Sequence, residues 1–177
     1  EWKYTNVTPI SNTSFHHSQP YGKSALTRED IKEFFLCGKD AAVLVFENGT
    51  FNESLSRLNH LDEKFTVRSL AASMNDETVK QHLGKYASAQ TESFIALNTA
   101  FTFDGAFIHI PANAVVEQPV HLLYISDARK VATVSYPRNL IVAENNAQVR
   151  IVESFHSMQA INHHFINSVT EVVVQEN

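Results

Sequence analysis

The feature that most constrains the fold is a threefold repeat in the second half of the chain. Residues 108–113 (Ile-His-Ile-Pro-Ala-Asn), 140–145 (Leu-Ile-Val-Ala-Glu-Asn) and 172–177 (Val-Val-Val-Gln-Glu-Asn) align without gaps, and their asparagines are 32 residues apart each time. A fixed period of this kind, with a turn asparagine after each β-branched run, is typical of a β-solenoid with stacked repeats. The competing interpretation is a chance alignment of hydrophobic strands in a sandwich.

The sequence around these repeats also favours β-structure. After Gly105 the chain contains no further glycine and no helical period, and short runs of Val, Ile and Leu follow one another closely. Short apolar runs at close spacing predict an all-β architecture. The predicted strands are 106–110, 120–125, 131–134, 140–143, 149–155 and 169–174.

The first hundred residues instead predict a mixture of helices and strands. Residues 1–24 have no apolar periodicity and predict an irregular surface arm with aromatic anchors at Trp2 and Tyr4. Further on, a Thr27/Asp30 capping pair, an Asn48-Gly49 turn and a capping Asn75 or Asp76 mark element boundaries. The predicted elements are a helix over 28–37, a hairpin of 41–47 and 50–56, a strand over 65–70, a helix ending at Gly84 and a helix opened by Thr91 and Glu92.

The two ends of the chain lie inside these patterns. The first residue is Glu1 rather than Met, and residues 172–177 end the third repeat where a strand runs into a turn. We therefore expect the chain to be part of a longer protein. An apolar strand edge without a partner is a template for another chain, so we also expect self-association through residues 169–174.

Composition excludes several classes of function. The 177 residues carry a net charge of -5 with no basic stripe, which disfavours nucleic-acid binding. No apolar run approaches the roughly 18 to 20 residues that span a bilayer. The lone cysteine, Cys37, cannot form an internal disulfide and no signal peptide opens the chain, so we expect a reducing, cytoplasmic compartment.

The candidate chemical residues do not form a recognisable catalytic pattern. The doublets His16-His17 and His163-His164 point to opposite faces of a strand, so neither chelates by itself. Cys37 lies near a predicted helix C-terminus, which does not activate a thiolate, so we expect a packed thiol. We predict no metal, cofactor or catalytic residue, and we expect His109 and His121 to be half-buried with backbone partners.

The carboxylates leave a second function open. Glu29-Asp30 and Asp62-Glu63 have the pattern of solvated pairs, whereas Glu117 and Glu153 lie in or near predicted strands. A β-solenoid can carry polysaccharide-cleaving carboxylates on one strand face, although the spacing here does not select that chemistry. The alternatives are therefore a carbohydrate-active β-helix enzyme and an interaction module unrelated to metal clusters.

Several motifs together resemble the SufB/SufD family, and most closely its SufD-like members. Single pieces are weak, but their order along residues 1–153 is specific. They are Glu-Trp-Lys-Tyr-Thr-Asn (1–6), Leu-Asn-Thr-Ala-Phe (97–101), Asp104-Gly105, Ile110-Pro111, Pro-Val-His-Leu-Leu (119–123), Pro-Arg-Asn-Leu-Ile-Val (137–142) and Val152-Glu153.

The resemblance implies both a fold and a function. The implied fold is a helical N-terminal part followed by a right-handed parallel β-helix, here an α+β region over 1–103 and an incomplete, mainly-β β-helix over 104–177. The implied function is that of a non-enzymatic scaffold subunit in SUF iron–sulfur cluster assembly, which acts with SufB and the ATPase SufC. A homodimer through the β-helix is a further expectation. The resemblance gives Asn98, Asp104-Gly105 and Pro137-Arg138-Asn139 structural roles, and the contact residues for SufB and SufC are expected beyond Asn177.

Overall fold

A computed structural model describes residues 5–17, 25–58, 64–158 and 162–176, which form four short α-helices, two 3-10 helices and eleven strands. The α-helices are α1 (Thr8–Ser11), α2 (Arg28–Ile31), α3 (Glu77–His82) and α4 (Ser93–Phe101), and the 3-10 helices are Lys32–Phe34 and Ala71–Ser73. The strands are β1 (His16–His17), β2 (Ala42–Glu47), β3 (Thr50–Phe51), β4 (Thr66–Ser69), β5 (Ala106–Ile110), β6 (Val120–Ser126), β7 (Thr133–Ser135), β8 (Arg138–Ala143), β9 (Ile151–Ser157), β10 (His164–Ile166) and β11 (Val169–Val174).

Side-chain caps mark the start of α2 and α3, whereas α4 begins at Ser93, directly after the predicted Thr91 and Glu92, without a side-chain cap. The Thr27 hydroxyl accepts a hydrogen bond from the Asp30 N–H, and the Asp30 carboxylate accepts one from the Thr27 N–H, which makes the predicted capping box at α2. Asp76 rather than Asn75 caps α3 by accepting from the Thr78 N–H. The helix predicted over 28–37 is too long, because regular helical structure ends at Phe34 and Phe35 leaves the helical region with ψ 87°.

The predicted hairpin is confirmed, but its second strand is shorter than expected. Asn48 and Gly49 both have positive φ, 48° and 83°, as a two-residue hairpin turn requires, and β2 pairs with β3 in antiparallel fashion. The second strand ends at Phe51 rather than at residue 56. Asn52 starts a turn there, because its side-chain oxygen accepts from the Leu55 N–H and its carbonyl accepts from the Ser56 N–H.

The strands form three sheets, with the orders β4-β5-β8-β11, β3-β2-β6-β9 and β1-β7-β10. The pairs β5/β8, β8/β11, β2/β6, β6/β9, β1/β7 and β7/β10 are parallel, whereas β2/β3 and β4/β5 are antiparallel. The six strands predicted after residue 104 are all present: β5 and β11 have the predicted bounds, and the bounds of the other four are shifted by one or two residues at one end or at both. β10, and the short α1 and β1 within the arm predicted to be irregular, were not foreseen. Trp2 and Tyr4 lie outside the described residues.

The 32-residue period is close to the pairing register, but the alignment of its middle copy is wrong by one residue. Ile108 pairs with Ile141 rather than with Leu140, and Ile141 pairs with Val172. In the turns, Asn113 and Asn146 have positive φ, 62° and 57°, and the Asn146 amide donates to the Asn113 side-chain oxygen at 3.1 Å. Asn146 therefore takes the place that the sequence alignment gave to Asn145, and the third asparagine, Asn177, lies outside the described residues.

The predicted fold class is wrong. Residues 104–177 do not make a right-handed parallel β-helix: the described strands lie in three parallel or mixed sheets accompanied by a few helices, without a closed or solenoid arrangement. Two sheets contain antiparallel strands, and β2, from the first hundred residues, is an interior strand of its sheet. A repeat in the sequence reports the spacing of paired strands, but it carries no information about handedness, closure or added strands. The division at residue 103 stays a prediction.

The two four-stranded sheets bury apolar residues on both of their faces. Val120, Leu122 and Tyr124 of β6 face the core that these two sheets share, which we call the inner face. Leu123 and Ile125 of β6 point the other way, to the outer face, where they pack with α2 residues and the segment that follows it. The rings of Phe46, Tyr124 and Phe155 stack across β2, β6 and β9 at centroid distances of 4.9 and 4.8 Å.

The Asp104-Gly105 motif joins several segments at the start of β5. One Asp104 carboxylate oxygen accepts from the Ser69 hydroxyl and the Ala71 N–H, and the other accepts from the Phe51 N–H at 2.9 Å. A Cβ at Gly105 would lie 1.9 Å from the Arg138 carbonyl oxygen, so the neighbouring strand approaches too closely for any larger residue. This motif therefore determines how β5 is placed against β8.

Candidate functional site

The chemical residues that the sequence singled out are not brought together. His16 of β1 and His164 of β10 flank Thr133 in the third sheet, and both are exposed. Cys37 is a free, half-buried thiol. Among the described ranges no three His, Cys, Asp or Glu side chains are arranged to hold a metal ion. Asp62 and Glu63 lie outside these ranges.

Both strand histidines have side-chain partners rather than the predicted backbone partners. His109 contacts the Glu144 carboxylate at 2.9 Å, and His121 contacts the Ser154 hydroxyl at 2.7 Å. His121 is fully buried on the outer face of β6, and its Nδ1 has no partner within the described structure. Burial lowers the pKa of His121 to about 4, with smaller contributions from His156 and Arg57, so this imidazole is neutral near neutral pH.

A large polar cluster surrounds Arg138 at the start of β8, on the face of that sheet that points away from the shared core. We call it the outer network. Arg138 Nη2 lies 2.8 Å from Glu171 Oε2, and the side chains of this ion pair are 5% and 0% exposed. Asn98 of α4 accepts from Arg138 through its side-chain oxygen and donates to the carbonyls of Pro137 and Asn167 at 2.9 and 2.7 Å. The network thus joins α4 to β8 and to the chain before β11.

Backbone groups complete the outer network around Glu171. The N–H groups of Gly84, Tyr86 and Ala87 donate to its two carboxylate oxygens at 2.8 to 3.0 Å. Burial alone would raise the pKa of Glu171, but the hydrogen bonds from these N–H groups and from Arg138 outweigh it and lower the pKa. Glu171 is therefore ionised, and hydrogen bonds from the protein replace those that water would donate to its carboxylate.

A second polar cluster, the inner network, surrounds Asn139 on the opposite face of the same strand. The Asn139 side-chain oxygen accepts from the Tyr124 hydroxyl at 2.7 Å and from the Ala106 N–H at 2.8 Å. Its amide donates to Glu153 and Thr170 at 2.8 and 3.1 Å, and Thr170 also donates to Glu153. Asn139 is fully buried, and all of its hydrogen-bonding groups have partners.

The inner network differs from the outer one in the state of its carboxyl group. Burial raises the pKa of Glu153, and the hydrogen bonds from Thr170 and Asn139 offset this only in part. No guanidinium or ammonium group neutralises Glu153 in the described structure, whereas Glu171 has Arg138. The residue nevertheless lies at the exposed edge of β9.

This edge belongs to a larger surface at one end of the molecule. Each sheet ends there in one strand, β9, β10 or β11, and the contact between Thr170 and Glu153 places β9 and β11 side by side. The side chains of Phe155, Val172 and Val174 are 45, 54 and 67% exposed. We call β9, β10 and β11 with these exposed side chains the open end.

The open end can pair with further strands. An edge strand presents unpaired backbone N–H and C=O groups, and an added strand satisfies them while its side chains cover the apolar ones beneath. The added strand can belong to a continuation of this chain or to another protein. The outer and inner networks fix β8, β9 and β11 in the register that forms this surface.

The family resemblance implies only structural roles for Asn98, Arg138 and Asn139, and the main sequence signal for the networks is the register of the repeat. Arg138 and Glu171 are separated by about one repeat and lie on neighbouring strands. A buried arginine in an apolar strand requires a nearby carboxylate to balance its charge. Asn98 was singled out within its motif, but its contact with Pro137 could not be inferred from spacing. Glu117 and Glu153 are not brought together as paired carboxylates: Glu117 contacts Arg150 through its backbone carbonyl, and Glu153 is bound in the inner network.

Comparisons with known proteins cover the whole chain. The family model described as "SufBD protein N-terminal region" matches residues 1–122, and the one described as "SUF system FeS cluster assembly, SufBD core domain" matches residues 124–177. An iron–sulfur cluster assembly SufBD family protein of Synechocystis is 32% identical over 100% of this chain and 40% of its own length. The iron–sulfur cluster assembly protein SufD of Bacillus subtilis is 24% identical over 99% of this chain and 40% of its own length. The chain thus spans about 40% of the length of these two relatives. Within the described ranges no helix is long and apolar enough to cross a membrane.

Proposed function

This chain belongs to the SufB/SufD family of iron–sulfur cluster assembly proteins, and we propose that it is a SufD-like scaffold subunit of the SUF system. In this role it acts by protein–protein assembly with SufB-like and SufC-like subunits, in the cytoplasm, and not by turnover of its own. The observation that carries the role in cluster assembly is that the two family models together match the chain almost from end to end.

The relatives support the choice of SufD within the family. The Bacillus subtilis protein named SufD matches 99% of this chain. Proteins named only as SufBD family members match as well, so the SufD-like assignment rests on one named relative and on the motif order in residues 1–153. The SufB-like and SufC-like partners follow from that assignment.

The open end is a surface that further strands can cover, whether they belong to a longer chain or to a partner. Its three edge strands expose backbone groups and apolar side chains, which are the features that strand addition covers. The networks beneath it hold these strands in place before any partner arrives, which lowers the ordering cost of association. The carbohydrate-active alternative needs clustered carboxylates, and the described structure keeps Glu117 and Glu153 apart.

Co-purification from the source organism tests the proposal. The tagged full-length protein is expected to retain a SufB-like and a SufC-like protein from a reducing extract, identified by mass spectrometry. Retention of neither protein, when the tagged chain itself is folded and monodisperse, would contradict the scaffold function.

A matched pair of variants then tests whether the open end contributes to the retention of these partners. Val172→Lys places a charge on the open end, and Met74→Lys places one on a similarly exposed apolar residue outside it, at 54 and 51% exposure. We expect Val172→Lys to reduce the retained partners and Met74→Lys to leave them unchanged. Equal retention by both variants would show that assembly uses another surface.

A further inference from the structure

A separate pocket lies on the outer side of the molecule, away from the open end. It has a volume of about 300 Å³, and Arg28, Glu29, Lys32, Phe35 and Arg57 line it. Three of these five side chains are cations and one is an acid. The pocket is therefore locally positive in a chain whose net charge is -5, and neither the family resemblance nor the open end accounts for it.

Backbone carbonyl groups hold both arginines of this pocket in place. Arg28 donates through Nε to the Ser54 carbonyl at 3.0 Å and through Nη2 to the Ser56 carbonyl. Arg57 donates through Nε to the Ala41 carbonyl at 3.1 Å and through Nη2 to the Gly38 carbonyl. In each guanidinium group the Nη1 donors have no partner among the described residues.

These contacts fix the guanidinium groups without neutralising them. A carbonyl oxygen accepts a hydrogen bond but carries no net charge, and the Phe35 ring beneath Arg57, at 5.4 Å, carries none either. The one acidic side chain in the lining, Glu29, pairs with Lys32. Among the described residues neither guanidinium group has an acidic partner, and the conformational freedom of both side chains is already restricted in the folded protein.

We propose that this pocket binds an oxyanion of the phosphate type, either inorganic phosphate or the phosphate group of a small molecule. The free Nη1 donors of Arg28 and Arg57 and the Lys32 ammonium group supply charge-assisted hydrogen bonds, which are shorter and stronger than neutral ones. Because the two guanidinium groups are held by the backbone, little side-chain entropy is lost on binding. The pocket volume is at the lower end of the range for small-molecule sites, which fits a small anion.

Calorimetric titration of the full chain with inorganic phosphate, at constant ionic strength, tests the proposal. Lys32→Ala removes one cation and is expected to weaken binding by about twofold to fivefold. Glu29→Gln removes the competing acid and is expected to strengthen binding by a similar factor. Neither side chain contacts the backbone carbonyls that hold the arginines, so both variants are expected to fold.

The ion pair Lys80–Glu77 on α3 provides the matched control, because it has the same three-residue spacing and is also exposed. Lys80→Ala and Glu77→Gln change the net charge identically, and we expect them to leave phosphate affinity unchanged. Equal effects of the two pairs, or no saturable binding, would overturn the proposal. Parallel titrations with glycerol phosphate and with acetate distinguish the source: tighter binding of the ester favours a phosphorylated small molecule, equal binding favours inorganic phosphate, and preference for acetate would overturn the assignment to phosphate.

Discussion

Arg138 and Asn139 are adjacent on β8, but the polar networks that they organise end in different ways. The outer network of Arg138 is closed, because Asn98 and the N–H groups of Gly84, Tyr86 and Ala87 complete the hydrogen bonds of a buried Arg138–Glu171 pair. The inner network of Asn139 reaches the open end, where Glu153 lacks a cationic partner among the described residues and β9 is an edge. The described residues therefore supply the hydrogen-bond partners of the outer network. The surroundings of Glu153 in the inner network depend in addition on what covers the open end.

Breaking the outer network is expected to have the largest effect. Arg138→Ala leaves a buried carboxylate without its cation and should lower the free energy of unfolding by about 3 to 5 kcal/mol. Urea denaturation measures this change. The control is Arg68→Ala, which removes a partly exposed pair with Asp76 and should cost about 0 to 1 kcal/mol. Similar losses for the two variants would mean that the outer network is not closed to solvent.

The inner network is expected to contribute less. Asn139→Ala leaves the Tyr124 hydroxyl and the Ala106 N–H without their acceptor and should cost about 1 to 3 kcal/mol. Thr170→Val removes one hydroxyl near the exposed edge and should cost less than Asn139→Ala in the same urea assay. A cost for Asn139→Ala above that of Arg138→Ala would reverse the comparison between the two networks.

The pH dependence of stability should differ in sign between the two carboxyl groups. The folded pKa of Glu171 is lowered, so its stabilisation is present above the ordinary pKa of glutamate and is lost as pH falls through the folded pKa. The folded pKa of Glu153 is raised, so its contribution is present at low pH and is lost as pH rises through the folded pKa. Urea midpoints across the acid range should therefore fall less steeply with acid for Glu171→Gln than for the unsubstituted protein, and more steeply for Glu153→Gln.

A third group, His121, also titrates in this acid range. The pKa of His121 is lowered from 6.5 to about 4, so it also withdraws stability as pH falls through this interval. Because His121 is present in all three proteins, the differences between their profiles isolate each glutamate. Parallel profiles for both glutamine variants would contradict the opposite signs.

The smallest expected effect concerns the open end itself. We expect the 177-residue chain to self-associate through its uncovered edge strands, for example as a homodimer. Val174→Lys should shift the mass measured by light scattering toward that of the monomer, with little change in the free energy of unfolding. Met74→Lys, at a comparably exposed apolar residue elsewhere, should leave the association unchanged. A chain that is monomeric before any substitution would show that the open end does not associate with a second copy.

The sequence predicted local features better than their arrangement. The Thr27 capping box and the Asn48-Gly49 turn follow from neighbouring residues, and both are present. The repeat gave the spacing between β5 and β11 correctly, but chose Leu140 over Ile141 in the middle copy, because adjacent apolar residues give no alternation to choose between them. Leu140 lies on the outer face and Ile141 in the inner core.

The sheet arrangement and the networks could not be read from these patterns. The β-helix expectation missed that β2 lies between β3 and β6, since a strand outside the repeat leaves no trace in the period. The sequence predicts backbone partners for His109 and His121, since Glu144 and Ser154 are distant in sequence and meet the two histidines only across paired strands. The arginines of the phosphate pocket likewise converge from separate segments, one in α2 and one after the hairpin.

The position of β2 has a consequence for how the chain is made. Ala42 pairs with Val120, 78 residues later, so β2 must wait for β6 to be synthesised before its parallel partner exists. At translation rates of about 5 to 20 residues per second, this wait lasts about 4 to 16 s. During that time the Ala-Val-Leu-Val-Phe run of β2, which is fully buried in the folded chain, can be covered only by contacts from the residues already made, such as the hairpin and the apolar side chains of Ile31 and Leu55. The nascent protein therefore passes through an interval in which a chaperone or a second nascent chain competes with β6 for the same strand.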